Sequence, residues 1–343
     1  MERTKKILVI RLSSLGDIVH STSVLEPLKQ AGCEISYITK AAFAPLLQGH
    51  PMIRSVYRYD VAASGSEERA RDALFAWIEK ENFDAILDLH DSLRTRFWRR
   101  RLRKHAPIFV AKKERLREWL ILFFRLKKTF SFGAGGRAKK MRALAYEALD
   151  YFQIPYKDLP MCTGVALDIV AFEKMEQHLP KEKFAVLVPG SAWKSKEWPF
   201  YAELAKKIAR SQPVIVLGGS GDTACEAVAL AALEVNPRSI NFQGKTSLAE
   251  SVAVIAKAAL VVGNDTGLLQ VAESFGVRCF VIEGPTAPEM GFSVYKDSSK
   301  SIGLDLFCRP CSKTGRVCWR LGQRTCLKAL TPERVMEDVR THL

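Results

Sequence analysis

The chain has 343 residues and a formal net charge of +15, with 52 Lys and Arg against 37 Asp and Glu. Hydrophobic residues make up 48% and charged residues 26% of the chain, which is the composition of a globular protein and excludes a disordered one. Single hydrophobic cores stop growing near roughly 250–300 residues, so the length favours two domains. No apolar run reaches the ~18–20 residues of a membrane span, and no signal-peptide pattern is visible, so a cytoplasmic protein is expected.

Short apolar runs alternate with stretches of helical periodicity. Strands are predicted at 7–10, 35–39, 85–89, 185–188, 214–217, 239–242, 260–262 and 279–282, and helices at 15–28, 199–210, 223–233, 248–258, 267–275 and 332–343. The alternation predicts an α/β fold of two Rossmann-like domains with parallel sheets. Prolines between 153 and 183 mark the linker, which gives an N-terminal domain (1–165), a C-terminal domain (166–330) and a C-terminal helix (331–343).

Small and polar residues follow the predicted strands, at 13–17 (SSLGD), 189–191 (PGS), 218–222 (GGSGD), 263–267 (GNDTG) and 284–286 (GPT). Ligands of open parallel sheets bind at the carboxyl ends of the strands, so these turns are the candidate site, and two facing domains would enclose a cleft. No GxGxxG follows the first strand, so the Rossmann dinucleotide fingerprint is not supported.

Each of these turns has a plain structural alternative. Asp17 can act on a group in the cleft or simply cap the helix that follows it. Asp265 and Thr266 can cap a helix whose free N–H groups favour an anion. Lys196, in the loop before Pro199, can neutralise a departing diphosphate or be an ordinary solvated lysine.

The positive charge is concentrated between residues 94 and 142, which hold 18 Lys or Arg and two acids, while the rest of the chain is nearly neutral. This local concentration of positive charge predicts an anionic partner that binds this segment. Arg94 and Arg96 begin an arginine run suited to bidentate pairing with phosphates and carboxylates. The apolar run 119–124 is either an interfacial helix on an anionic leaflet or a buried core helix, and the buried helix is the favoured interpretation. A nucleic-acid-binding α/β protein is the alternative from another class, but the segment lacks a recognisable nucleic-acid motif.

Four cysteines lie near the end of the chain, at Cys308, Cys311, Cys318 and Cys326. They could form a structural zinc site with four thiolate ligands, or they could be small buried thiols. Their spacing is irregular and contains one CxxC pair, so no metal is assigned. A disulfide framework is not expected in a cytoplasmic chain.

Several of these motifs together resemble one family. They are SSLGDIVHS (13–21), NFDAILDLHDSLRT (82–95), SAWKSKEWP (191–199), GKTSL (244–248), GNDTGLLQVA (263–272) and LTPERV (330–335). In this order, and over nearly the whole chain, they resemble the lipopolysaccharide core heptosyltransferases of glycosyltransferase family 9. The resemblance implies a GT-B type fold with two domains facing a cleft, of which the N-terminal one (1–165) binds the acceptor and the C-terminal one (166–330) binds the nucleotide sugar.

The resemblance also implies an activity and its residues. It implies inverting transfer of heptose from ADP-heptose to the inner core of lipopolysaccharide (Kdo-lipid A or heptosyl-Kdo-lipid A), without cofactor or catalytic metal. The carried-over residues are Asp17 as general base, Lys196 and Ser191 at the donor diphosphate, Thr246 at the nucleoside, and Asp265, Thr266 and Gly267 at the donor. The implied partners are the ADP-sugar, an anionic lipid acceptor and the cytoplasmic face of the inner membrane, with no nucleic acid. Arg94 and Arg96 are the residues expected to bind the acceptor.

The chain departs from the family pattern at Gln270, where members often have His. Gln offers neutral hydrogen bonds only, whereas His can carry a positive charge near a phosphate. Another nucleotide sugar, or another anionic acceptor, therefore stays open as the alternative.

Overall fold

The computed structural model describes residues 3–133 and 135–343. These residues divide into two compact units: the N-terminal unit, which runs to Lys113 and includes Arg137–Asp168, and the C-terminal unit, Glu114–Gly136 with Ile169–Leu343. The sequence placed residues 114–136 in the first domain, but the structure groups them with the second unit. The residues of the predicted C-terminal helix also belong to the C-terminal unit.

The strands, numbered in chain order, are β1 (Lys6–Ile10), β2 (Glu34–Lys40), β3 (Ser55–Tyr59), β4 (Ala85–Asp88), β5 (Ile108–Val110), β6 (Ala185–Val188), β7 (Val214–Val216), β8 (Ile240–Asn241), β9 (Leu260–Asn264), β10 (Arg278–Ile282) and β11 (Lys300–Ile302). The helices are α1 (Leu15–Ser21), α2 (Leu25–Gln30), α3 (Val61–Ser64), α4 (Glu67–Glu81), α5 (Leu93–Leu102), α6 (Arg115–Phe123), α7 (Lys127–Phe130), α8 (Gly136–Tyr151), α9 (Ile169–Glu176), α10 (Tyr201–Ala209), α11 (Ala224–Leu233), α12 (Leu248–Lys257), α13 (Gly267–Ser274), α14 (Thr325–Lys328) and α15 (Pro332–Val339).

Within the described residues, the N-terminal unit contains a five-stranded parallel sheet in the order β3-β2-β1-β4-β5. β1 is the central strand of this sheet and is buried along almost its whole length. Because both of its faces are covered, its sequence is a continuous apolar run. β3 and β5 were not predicted. β3 is a half-buried edge strand that contains Ser55 and Arg58, so it carries no continuous apolar run, and β5 is a half-buried apolar strand of only three residues.

The C-terminal unit contains, again among the described residues, a six-stranded parallel sheet in the order β11-β10-β9-β6-β7-β8. Its core includes Trp198, which precedes α10, and Tyr201, the first residue of α10, together with Val335 and Val339 of α15. The indole N–H of Trp198 donates to the carbonyl oxygen of Leu330 at 2.8 Å, which ties the tail to this core. The α/β fold with two parallel sheets is therefore confirmed.

Both sheets change winding direction at one point, and those points locate the candidate sites. In the N-terminal unit the chain crosses from the β1-β2-β3 side to the β4-β5 side, so the switch lies between β1 and β4. In the C-terminal unit it lies between β6 and β9. Ligands of doubly wound sheets bind outside the carboxyl ends of the strands at such points. The SSLGD turn follows β1, PGS follows β6, and GNDTG overlaps the end of β9.

The apolar run of the basic segment forms α6, which is not a buried core helix. In α6, whose residues are all described, Glu118 and Ile121 are the buried ones. Glu118 accepts a hydrogen bond from Lys313 at 2.8 Å, so the helix is held on the C-terminal unit. No helix within residues 3–133 and 135–343 is long and apolar enough to span a membrane.

Candidate active site

Asp17 lies in the first turn of α1, directly after β1. Its Oδ2 accepts hydrogen bonds from the Ser14 backbone N–H at 3.2 Å and the Ser14 hydroxyl at 2.9 Å. The Arg11 guanidinium lies 2.7 Å from the same oxygen. Oδ1 accepts no hydrogen bond from any residue that the structure describes, so it keeps its capacity to accept one. Asp17 thus caps the helix and also presents a second oxygen.

The charge state of Asp17 is set by Arg11. Burial alone would raise the pKa of this carboxyl, but the Arg11 guanidinium and the hydrogen bonds from Ser14 outweigh burial, so the pKa is lowered. Arg11 also donates to the carbonyl oxygens of Ser13 and Leu89, which links the turn after β1 to the end of β4. Asp17 is therefore an anion at neutral pH and can accept a proton.

A second charged network follows β4. Asp88 is fully buried and pairs with Arg99 at 2.8 Å, while Asp91 pairs with both Arg96 and Arg99 at 3.1 Å. Burial would raise the pKa of Asp91, but hydrogen bonds from the two arginines lower it to about 2. Arg99 therefore holds two carboxylates together at the switch point of the N-terminal unit.

The two arginines predicted to bind the acceptor both have acidic partners. Arg94 lies 2.8 Å from a carboxylate oxygen of Glu67 and over the ring of Tyr59, and Arg96 pairs with Asp91. Their side chains are 37% and 44% exposed. Both can therefore still reach an anion, although each would share its charge with an acid already in place.

His90 also follows β4, and the sequence reasoning did not single it out. Burial, Arg11 and Lys113 lower the pKa of its imidazole to about 4, so the ring is neutral at physiological pH. Its Nδ1 is buried and has no hydrogen-bond partner among the described residues. The ring lies close enough to Asp17 for the two groups to interact electrostatically.

In the C-terminal unit, Asn264 holds the two turns of the switch point together. It is fully buried at the end of β9 and donates to the carbonyl oxygen of Pro189 at 2.6 Å. Its side-chain oxygen accepts from the Trp198 backbone N–H at 3.3 Å and the Tyr201 hydroxyl at 3.1 Å. The GNDTG string contains this residue, but only the structure shows that it positions the loop of Lys196.

Lys196 and Asp265 form an ion pair at this point. The Lys196 ammonium donates to the Asp265 carboxylate at 2.9 Å and also to its backbone carbonyl. Both side chains are nearly buried, at 11% and 13% exposure. Thr286 donates its hydroxyl to the same carboxylate at 3.0 Å. Asp265 therefore orients Lys196 and makes no cap for the following helix.

The N-terminus of α13 carries unsatisfied groups. Thr266 is the N-cap residue, yet its Oγ1 is buried and has no partner in the described part of the chain. Gln270, one turn later, donates from Nε2 to the carbonyl oxygen of Phe292 at 3.0 Å, and its Oε1 is likewise buried without a partner. A helix N-terminus with free N–H groups and an unpaired hydroxyl suits an anionic ligand.

Two other predicted donor-binding residues, Ser191 and Thr246, make hydrogen bonds to near neighbours in sequence. Ser191 follows β6 and accepts a long hydrogen bond of 3.5 Å from the Trp193 N–H. Thr246 lies before α12, where its hydroxyl is 2.9 Å from that of Ser251. Gly190 must be glycine, because a Cβ there would lie 2.3 Å from the carboxyl carbon of Asp222. The turns after β6 and β7 are thus packed directly against each other.

The four tail cysteines were the candidate metal ligands. All of them are free thiols, and no group of three or more His, Cys, Asp or Glu within residues 3–133 and 135–343 is arranged to hold a metal ion. Cys311 and Cys326 are buried.

Comparison with known proteins identifies solved structures and sequences that are similar to this chain. The structure of E. coli heptosyltransferase WaaC with ADP-2-deoxy-2-fluoro heptose superposes with a TM-score of 0.67 over 98% of this chain and all of that one, at 19% identity. The fold is therefore of the GT-B type. Lipopolysaccharide heptosyltransferase 1 of Pseudomonas aeruginosa is 26% identical over 98% of both chains. Lipooligosaccharide heptosyltransferase 2 of Haemophilus influenzae is 28% identical over 82% of this chain and 84% of its own.

A match to a protein-family model assigns the chain to a family. The model of glycosyltransferase family 9 (heptosyltransferase) matches residues 71–319. The chain belongs to glycosyltransferase family 9, as the sequence motifs indicated, and it is a glycosyltransferase.

Proposed function

We propose that this enzyme transfers heptose from ADP-heptose to the inner core of lipopolysaccharide, with inversion at the anomeric carbon. The observation that carries the donor assignment is the group formed by the Lys196 ammonium, the unpaired Thr266 hydroxyl and the N-terminus of α13. A positive charge beside free helix N–H groups suits a diphosphate. The relative whose structure shares this fold was solved with an ADP-heptose analogue.

The chemistry needs a base and a stabilised leaving group. The acceptor hydroxyl attacks the anomeric carbon, its proton passes to the Asp17 carboxylate, and the bond from that carbon to the diphosphate oxygen breaks. A carboxylate within hydrogen-bond reach can take the proton. ADP gains charge as it leaves, and Lys196 with the α13 N–H groups stabilises that charge in the transition state. With these groups no catalytic metal is required.

The remaining donor contacts are assigned as the resemblance implies, with Ser191 at the diphosphate, Asp265 and Gly267 at the donor, and Thr246 at the nucleoside. The N-terminal unit takes the acceptor, and Arg94 and Arg96 contact its anionic groups. An anionic lipid, rather than nucleic acid, is the partner of the basic residues, and the enzyme works at the cytoplasmic face of the inner membrane.

A second donor is favoured by one observation. Gln270 is fixed to the Phe292 carbonyl and offers a neutral, unpaired Oε1, where a protonated His would offer positive charge. A nucleotide sugar other than ADP-heptose is therefore the alternative donor, within the same reaction class.

The test is ADP release from ADP-heptose with Kdo-lipid A and, separately, heptosyl-Kdo-lipid A as acceptor. The relatives include enzymes named heptosyltransferase 1 and heptosyltransferase 2, so both acceptors are needed. Turnover with one acceptor supports the function and identifies the heptose that is added. No turnover with either acceptor, but turnover with another nucleotide sugar, selects the alternative donor. No turnover with any nucleotide sugar contradicts the assignment.

A further inference from the structure

Four aromatic rings form a continuous group on the surface of the C-terminal unit, here called the aromatic patch: Trp119, Phe123, Phe124 and Trp319. The Trp119 ring lies 5.6 Å from that of Phe123 and 4.8 Å from that of Phe124. Phe123 meets Trp319 edge to face at 6.0 Å. The patch therefore joins α6 to the cysteine-rich tail, which are far apart in sequence.

The aromatic patch is exposed to solvent. Its side chains are 46–57% exposed, and Leu116, one turn earlier on α6, is 70% exposed. Val317 and Leu321, two residues to either side of Trp319, add further exposed apolar surface. Large contiguous apolar surface on a folded protein marks an interaction site, and burying it against a partner is favourable.

Basic residues surround the aromatic patch. Arg115, Lys128 and Arg320 are exposed, and the Arg125 guanidinium lies 5.7 Å from the centre of the Trp319 ring. The acids of this region are already paired with bases: Glu114 with Arg117, Glu118 with Lys313, and Asp305 with Lys127. The surface is thus apolar at its centre and positive at its rim.

We propose that the aromatic patch and its basic rim dock this enzyme onto the surface of an anionic lipid bilayer. Aromatic side chains partition into the headgroup region, and basic residues beside them are attracted to anionic headgroups. A second copy of the chain fits less well, because a symmetric contact would oppose two positive rims. The docking rests on the proposed function, since a lipid-borne acceptor is what requires the enzyme at a membrane.

The docking surface is joined to the donor loop through the tail. Arg324, five residues after Trp319, donates to the Lys194 carbonyl oxygen at 2.8 Å, and the Ser195 hydroxyl donates to the Gly315 carbonyl oxygen. A Cβ at Gly315 would lie 2.7 Å from the Lys196 side chain. The segment that would contact lipid therefore also packs on the loop that carries the donor lysine.

The test is co-sedimentation with phosphatidylcholine vesicles that contain or lack phosphatidylglycerol, at low and high salt. Wild type should bind the anionic vesicles, and salt should weaken binding. Trp119→Ser/Phe123→Ser should weaken binding at least roughly tenfold, and Arg115→Gln/Lys128→Gln roughly 10- to 30-fold. Val170→Ser/Leu230→Ser, at exposed apolar positions elsewhere in the same unit, is the matched control and should bind like wild type.

Three outcomes would overturn the docking surface. The first is wild-type binding that is the same with and without phosphatidylglycerol, and the second is binding of the aromatic-patch variants at the wild-type level. The third is a wild-type dimer that becomes monomeric in Trp119→Ser/Phe123→Ser, which would make the patch an interface between copies of the chain. Vesicle binding needs no substrate, so its result is independent of the test for heptose transfer. If both hold, the aromatic-patch variant should release ADP normally with detergent-dispersed acceptor and lose activity with acceptor in vesicles.

Discussion

Replacing Asp17 with Asn separates its proposed role as general base from its capping role, because Asn keeps a side-chain oxygen that can accept from Ser14 but loses the negative charge. Removing a general base lowers turnover by about 10²–10⁴-fold. The loss of the charged contact to Arg11 lowers the free energy of unfolding by about 1.5–3 kcal/mol, since both side chains are largely buried, at 11% and 19% exposure.

Ser14→Ala is the matched control for the capping role. It removes the hydroxyl that donates to Asp17 but leaves the carboxylate and its contact to Arg11 in place. Loss of this cap contact should lower the free energy of unfolding by about 1 kcal/mol. Turnover should stay within a few-fold of wild type, because the carboxylate proposed to act as the base is unchanged.

The assay is ADP release at saturating donor, with donor affinity measured by calorimetry and stability by thermal unfolding. Asp17→Asn should bind donor like wild type, since the assigned donor residues lie in the C-terminal unit. If Asp17→Asn loses stability but keeps its turnover within about tenfold of wild type, Asp17 is a helix cap only and the base assignment fails.

Three further predictions concern the charged and packed groups around the sites. Lys196→Met should lower turnover about 10²–10³-fold and weaken ADP binding in calorimetry, whereas Lys194→Met should do neither. Because the pKa of Asp91 is lowered from 3.8 to about 2, its stabilising effect is complete above pH 3.8 and is lost as the pH falls toward 2. In Asp91→Asn the free energy of unfolding should therefore change by about 1–2 kcal/mol less than in wild type over this pH window. The figure is kept small because Arg96, one of the two arginine partners, is partly exposed to solvent. Gly263→Ala should destabilise the fold by about 1–3 kcal/mol or more, because a Cβ there would lie 2.7–2.9 Å from its neighbours, whereas Gly221→Ala, with open space around it, should not. A Gly263→Ala melting temperature equal to that of Gly221→Ala would contradict the packing argument.

Interior strands were predictable from sequence, whereas of the edge strands only β8, which lies within the predicted range 239–242, was found. β6 has the predicted bounds and β1, β2, β9 and β10 lie within two residues of them, because a strand buried on both faces must be apolar at nearly every position. The strands that were missed lack that signal, because β3 and β11 contain polar or charged residues and β5 is only three residues long.

The sequence by itself determined the α/β class, the family and the turns that carry the candidate site residues. These follow from local patterns: apolar runs for buried strands, small polar residues at their carboxyl ends, and motif strings in a fixed order. Tertiary structure alone decided which partners those residues meet. Arg11 with Asp17, Lys196 with Asp265, and α6 with the tail through Trp319 depend on chain crossings that bring distant segments together. Local periodicity contains no information about such contacts, which is why the exposure of α6 and its grouping with the C-terminal unit could not be foreseen.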